Sequence, residues 1–379
     1  MSAKQKAGIY LHIPFCKTKC IYCDFYSITE REKDTDRFVK ALCTEILDSS
    51  IQKYSWEFDT LFIGGGTPSL LTGQQLETIL LALSKKIPFS NFKEKTMEIN
   101  PGEAPFISLK DFYSLGINRI SIGVQSLQPD LLKFLTRLHS VEDVYKTFEN
   151  IRKAGFDNVN CDLIYSIPGQ TMDIWERDLK NIIKLAPEHI SAYTLTVEKG
   201  TELFQMVKSK KVIIPKNNET SAWFLFTRFL LSENGFIPYE ISNFSKLGKE
   251  CKHNLHYWEI DPYIGFGPSA HSYDGNNRWN NVRSLDQYIN KITKEKSPIS
   301  TSEILTETQK VNESIGFGLR LNKGINLNII PKNYKEQFIR NVEQNKKKWN
   351  GYINQDRKRI SLLNSGFAYA DSIAVDLMF

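Results

Sequence analysis

Three cysteines stand within eight residues near the start of the chain, in Cys16-Lys-Thr-Lys-Cys20-Ile-Tyr-Cys23. This C-x3-C-x2-C spacing directly follows Ile9–Ile13, which reads as a strand. Soft thiolates select iron–sulfur clusters, zinc or copper(I). A closed zinc site needs four ligands, usually as two pairs, and no fourth cysteine follows nearby. A four-iron cube on three thiolates keeps one iron without a protein ligand. Clusters that only carry electrons use four cysteines, so an open iron points to a substrate that binds the metal. The spacing therefore predicts a [4Fe-4S] cluster on Cys16, Cys20 and Cys23 with one iron open. The rival readings are a zinc knuckle that borrows a distant His, or inert buried thiols.

Other residues gather where strands end. Gly64-Gly65-Gly66-Thr67-Pro68-Ser69 closes a second strand ahead of a helix. Glycines there let backbone approach a ligand and offer uncovered N–H donors. Glu98 could accept from a hydroxyl or an ammonium group, and Gln125 offers both donor and acceptor. Arg137 could fork onto a carboxylate, and Asp162 could take ribose hydroxyls. Read singly, Glu98 and Arg137 are ordinary solvated or paired polar groups. Cys161 faces away from Asp162 by strand alternation, and Cys43 lies on the apolar stripe of its helix, so both read as core.

The elements that must position these residues alternate. The pattern predicts strands over Ile9–Ile13, Thr60–Ile63, Thr96–Ile99, Arg119–Val124, Val159–Tyr165 and Ile190–Val197. Between them run helical stripes, the longest over Asp36–Ser50 and Val141–Lys153, and Thr171 reads as the cap of a helix over Ile174–Leu185. Such alternation implies parallel βαβ units, and ligands of a barrel sit at the C-terminal strand ends. The expected fold is α/β: a partial (β/α)6 TIM-like barrel over 1–235, an extension over 236–300, and a small C-terminal α+β winged-helix-like domain over 301–379. Ser221–Glu233 reads as an apolar helix and Cys251–Ser272 as an ordered loop. A further helix is expected from Glu303 to Leu321, and a hairpin from Arg359–Leu363 and Phe367–Tyr369.

The 379 residues are 41% hydrophobic and 24% charged, which is material for a large core. Forty-nine basic residues against 43 acidic ones leave +6, a mild and evenly mixed excess. That mixing sets aside a nucleic-acid interface on the terminal domain. Six cysteines in a chain this long are not a disulfide scaffold, so a reducing compartment is expected. Met1–Lys6 is too short and polar for a signal peptide. No apolar run approaches the ~20 residues that span a bilayer. A cytoplasmic protein without a transmembrane segment is expected, which is compatible with peripheral membrane association.

The stretch Tyr10-Leu-His-Ile-Pro-Phe-Cys16-Lys-Thr-Lys-Cys20-Ile-Tyr-Cys23-Asp-Phe25 resembles the cluster loop of the radical S-adenosylmethionine (radical SAM) proteins. More narrowly, it resembles the branch that holds the oxygen-independent coproporphyrinogen III dehydrogenases and the HemW-type heme chaperones. The resemblance implies a radical SAM barrel with S-adenosylmethionine on Gly66, Thr67, Glu98, Gln125, Arg137 and Asp162. Tyr10, Tyr22 and Thr196 match further contacts to it. Two features separate the branch members. The dehydrogenases carry another Cys two positions after the third cluster Cys, where this chain has Phe25. His253-Asn254-Leu-His256-Tyr257-Trp258 is similar to the H-N-x-x-Y-W motif of the heme chaperones. Imidazole is a usual axial ligand of heme iron, and aromatic rings can stack on a porphyrin. The resemblance thus makes His253 the expected heme ligand, with Asn254, Tyr257 and Trp258 beside it and His256 and His271 as rivals. Cys251, two residues before His253, reads as incidental. A lone His there would read as part of a polar loop with one hydrogen-bonded His and a buried Trp; the whole motif, followed by Tyr263-Ile-Gly-Phe-Gly-Pro-Ser-Ala-His271, favours the heme reading.

Two functions stay open on these residues. A heme chaperone would bind heme and pass it to an acceptor protein. A coproporphyrinogen III dehydrogenase of porphyrin biosynthesis would take an electron from a donor such as flavodoxin or ferredoxin. It would cleave S-adenosylmethionine to methionine and a 5′-deoxyadenosyl radical. That radical would take hydrogen from a propionate, and CO2 would leave to give a vinyl group. Phe25 counts against the second.

Overall fold

The computed structural model describes residues 4–379. Six strands lie side by side in chain order and run parallel: β1 (Lys6–Ile13), β2 (Glu57–Gly65), β3 (Glu94–Ile99), β4 (Arg119–Gln125), β5 (Val159–Tyr165) and β6 (His189–Thr194). Apolar residues such as Ile120, Ile122 and Val124 of β4 alternate with polar ones, and Arg119 and Ser121 line the cavity while the apolar set joins the main core. Helix Val141–Ala154 shows how local chemistry sets the bounds. Ser140 and Asp143 form a reciprocal capping box at its start, and Gly155 takes the left-handed conformation (φ 110°) that ends it. Its Val144, Phe148 and Ile151 are buried in the main core. Thr171 caps the next helix as its sequence suggests, accepting the Ile174 N–H at 3.3 Å. Cys161 is fully buried, and Cys43 packs against the same core.

The sheet continues past both ends of the six. Tyr263–Phe266 pairs parallel with the free side of β1, so a seventh parallel strand stands there. Antiparallel strands His271–Tyr273, Asn277–Asn281 and Ile299–Ile304 follow it outward. Beyond β6 come Asn243–Ser245 and Ile237–Pro238, also antiparallel. The expected ordered loop at Cys251–Ser272 is thus a helix, Lys252–Glu259, then a strand and the start of a hairpin. Neither was visible in the sequence, because the helix is built from His, Asn and aromatic residues of modest propensity. The strand is only four residues long and contains Gly265, where a Cβ would stand 2.3 Å from the His271 carbonyl oxygen.

A second core gathers Val311, Ile315, Leu319, Phe338, Ile360 and Ile373 from helices Glu307–Arg320, Lys332–Asn345 and Ala370–Leu377 and a three-stranded sheet. The helix expected from Glu303 starts at Glu307, because Ile299–Ile304 still belongs to the large sheet. The expected terminal hairpin exists with a different partner. Arg359–Leu362 pairs with the preceding Ile353–Gln355, while Asn364–Tyr369 is a 3-10 turn. The side chain of Asp356 makes the turn, accepting from the N–H groups of Lys358 and Arg359.

Candidate functional site

The cysteine loop is tied down at both ends. Cys16 N–H donates to Ile28 O (2.9 Å), and Ile28 N–H donates to Pro14 O (2.7 Å). Lys19 Nζ donates to Phe25 O and Ser27 Oγ across the loop. The three cysteines are free thiols, half-buried, around a small cavity of about 70 Å³ that Gly66, Thr67 and Arg137 also line. A continuous polar chain runs beneath them. Arg137 donates to Asn100 Oδ1 (2.5 Å), to the Gly123 carbonyl (2.8 Å) and to Cys20 Sγ (3.6 Å). Asn100 donates to Thr67 Oγ1, which donates to Cys16 Sγ at 3.4 Å. Burial pushes the Cys16 and Cys23 thiols above their ordinary values. Among the described residues no three His, Cys, Asp or Glu side chains are placed to hold a single metal ion. A multi-iron cluster spaces its sulfurs more widely than one ion does.

Gly66 holds this loop against the end of β2. Its N–H donates to Ile13 O and that of Thr67 to Phe15 O, both at 2.7 Å. A Cβ at position 66 would lie 2.6 Å from the Phe15 oxygen, so glycine is what the approach requires.

Beside it the barrel mouth opens into a cavity of about 500 Å³. On one wall, Glu98 accepts the Gly65 N–H at 3.1 Å, and burial, reinforced by Asp162, pushes its carboxyl up to about 8. Asp162 is held by Ser121 Oγ and Asn160 Nδ2, each at 2.8 Å. Tyr10 donates to His12 Nδ1 (3.1 Å), since His12 Nε2 must donate to the Tyr26 carbonyl (2.8 Å). Burial depresses the basicity of His12 to about 4.

Helix Lys252–Glu259 supplies the opposite wall. Buried Glu94 of β3 caps its start, accepting the N–H groups of Lys252 (2.9 Å) and His253 (3.0 Å). A carboxylate suits that positive helix end. His253 is buried, and both ring nitrogens are engaged, Nδ1 with Thr60 Oγ1 and Nε2 with Tyr257 Oη, at 2.9 Å each. Phe62 stacks on its ring, with centroids 5.2 Å apart. His256 is buried between Asp59 (2.8 Å) and Asp261 (2.9 Å). Asn254 and Tyr257 line the mouth cavity. Trp258 turns the other way, edge-on to Phe317 and under Arg320 of the terminal domain.

The structure therefore brings Tyr10, Glu98, Asp162, His253, Asn254 and Tyr257 to one cavity, and Cys16, Cys20, Cys23, Tyr22, Gly66, Thr67 and Arg137 to its neighbour. Gln125 lines neither. It is buried, with a left-handed backbone (φ 65°), and its amide stands where a Cβ on Gly123 would be. Thr196 is exposed, past the end of β6. Sequence reasoning placed Asn100 at a strand end without giving it a role, and missed Arg119 and Arg283. Asn100 sits two residues from Glu98 in the same motif, and its role could have been found there. Arg119 and Arg283 carry no local signal.

A family model of the radical SAM superfamily matches residues 10–182. The chain is 33% identical over 335 residues to a protein of Bacillus subtilis named heme chaperone HemW, covering 88% of this chain and 87% of that one. To the protein of the same name from Lactococcus lactis it is 32% identical over 372 residues, 96% and 95% of the two chains. Its fold is similar to that of coproporphyrinogen III oxidase (HemN) from Escherichia coli, with a TM-score of 0.84 over 99% of this chain and 90% of that one. At 21% identity that likeness speaks for the fold alone. Membership in the superfamily implies a [4Fe-4S] cluster and S-adenosylmethionine. On the extent and level of the sequence identity, the chain belongs to the HemW family of radical SAM proteins.

Proposed function

We propose that this protein is a heme carrier that also holds a [4Fe-4S] cluster and S-adenosylmethionine and delivers heme to an acceptor protein. One observation carries the reading. A single cavity joins the wall expected to take S-adenosylmethionine, through Tyr10, Glu98 and Asp162, to the wall formed by the H-N-x-x-Y-W helix. The relatives that match nearly the whole chain are named heme chaperones.

The residues fit the cluster. Three free thiols face one cavity, and hydrogen-bond donors reach two of the sulfurs. Such donors stabilise thiolate over thiol. A cluster on Cys16, Cys20 and Cys23 would supply an open iron for S-adenosylmethionine and an electron. The chain's own groups do the rest. Arg137 fixes the Cys20 side of the loop to β4 through the Gly123 carbonyl. Glu98, whose carboxyl burial raises to about 8, can ionise to meet a cationic ligand. Asp162, already held by two donors, keeps acceptor capacity for hydroxyls.

The test is anaerobic reconstitution followed by heme titration at the Soret band, with coproporphyrinogen III turnover measured in parallel. Stoichiometric heme binding without turnover supports the carrier. Turnover to protoporphyrinogen with indifferent heme binding overturns it in favour of a dehydrogenase.

A further inference from the structure

We propose that His271, rather than His253, is the imidazole that takes heme iron, with Arg283 receiving a propionate at the same rim. This inference rests on the heme-carrier reading and names the atoms through which it would work.

An axial ligand must present a bare imidazole nitrogen to a large flat ligand. The chain has six histidines. Five are buried and already hydrogen-bonded through the ring. His12 bonds Tyr10 and Tyr26, His139 the Val124 carbonyl, and His189 Asn160 and Tyr239. His253 is clamped by Thr60 and Tyr257, and His256 by two aspartates. To reach an iron, His253 would have to break two buried hydrogen bonds at about 1 kcal/mol each and leave a slot closed by Gly8 and Phe62. A Cβ on Gly8 would stand 2.8 Å from the His253 ring.

His271 is different on each count. It is exposed, it lines the mouth cavity, and its ring has no hydrogen bond among the described residues. Its backbone is well anchored. It opens strand His271–Tyr273, whose next two residues are buried, and Ser272 Oγ accepts the Gly265 N–H at 2.9 Å. An exposed side chain on a rigid strand suits a ligand that must grip and release.

The surroundings match the rest of the molecule to be held. Arg283 and His271 both lie near enough to His12 to lower its basicity. Arg283 spends one donor on the Asp24 carbonyl (3.0 Å) and stands 4.0 Å from the exposed Asp24 carboxylate, and its side chain is otherwise largely open. A guanidinium keeps further donors for a carboxylate. Phe25, 69% exposed on the same cavity, offers an apolar ring that a porphyrin face would cover.

The test uses the cluster-loaded full chain. Ferric heme is titrated into wild type, His271→Ala, His271→Met and Arg283→Gln, with optical and electron paramagnetic resonance spectra recorded. The expected result is loss of the histidine-type heme spectrum in His271→Ala, with affinity down at least about tenfold, since losing even an outer partner of a metal ligand costs that much. Added imidazole should restore the spectrum. His271→Met should give a thioether-type spectrum, and Arg283→Gln should weaken binding with the spectrum unchanged. A wild-type spectrum and affinity in His271→Ala would overturn the assignment and leave the carrier reading intact. Failure of wild type to bind heme would overturn both.

Discussion

Replacing Gly66 with alanine should dislodge the cysteine loop without touching a cysteine. Gly66 is not among the glycines with left-handed backbone, so alanine meets no conformational objection and the cost is steric. The new methyl would stand 2.6 Å from Phe15 O, 2.9 Å from Ile13 O and 2.9 Å from the Pro14 carbonyl carbon. These are backbone atoms and cannot rotate away. Two of them accept the hydrogen bonds that join the loop to β2. Overpacking of this kind costs about 1–3 kcal/mol, and stretching two hydrogen bonds adds about 0.5–1.5 kcal/mol each. Together they predict a loss of roughly 2–6 kcal/mol. Gly64→Ala is the contrast. Its methyl would meet Glu98 Oε2 at 2.8 Å and Phe62 Cε1 at 2.9 Å, which are ends of side chains that can turn aside. Urea unfolding of the metal-free chains and iron content after anaerobic reconstitution read both effects. Gly66→Ala should unfold at lower urea and take up much less iron, while Gly64→Ala fills normally. Wild-type iron content and midpoint in Gly66→Ala would refute the view that this close approach holds the loop in place.

Glu98, raised to about 8, should make S-adenosylmethionine affinity climb with pH to about 8 and then level off; calorimetry of wild type against Glu98→Gln checks this, and a flat wild-type profile counts against it. For His256, burial lowers the pKa, but hydrogen bonds to Asp261 and Asp59 prevail and hold it at about 9. Its folded value lies above the ordinary 6.5, so its stabilisation is full below 6.5 and is lost as pH rises through 9. Thermal melts should show up to about 3 kcal/mol of such loss, and His256→Asn should blunt it. Arg137→Lys should destabilise the chain by about 1–3 kcal/mol, because a lysine cannot serve Asn100, Gly123 and Cys20 together. It should also shift the reduction potential of the reconstituted cluster, and an unchanged potential would show that the Cys20 contact is idle.

What was legible in the sequence was local. The cysteine spacing, the glycine turn after β2 and the alternation of strand and helix each sit within one stretch of chain, so pattern alone locates them. The state of His253 was not legible. Its burial depends on Thr60 in β2, on Gly8 in β1 and on a helix cap from Glu94 in β3, none of them near it in sequence. Trp258 shares a motif with His253 but points to the terminal domain, because neighbours in a helix face different directions. Arg119 and Arg283 reach the cavity only through the tertiary fold.

The pairing of β1 with Tyr263–Phe266 bears on how the protein is made. β1 leaves the ribosome before the other strands of this sheet and carries the cysteine loop at its end. Its partner on that side is delivered only when Tyr263 to Phe266 emerge, in the last third of the chain. Until then β1 has an open edge, the kind that invites pairing with other chains. Domains usually fold in the order they are synthesised, but this barrel cannot close its N-terminal strand early. The earliest-made strand of this sheet is thus among the last to be paired on both sides.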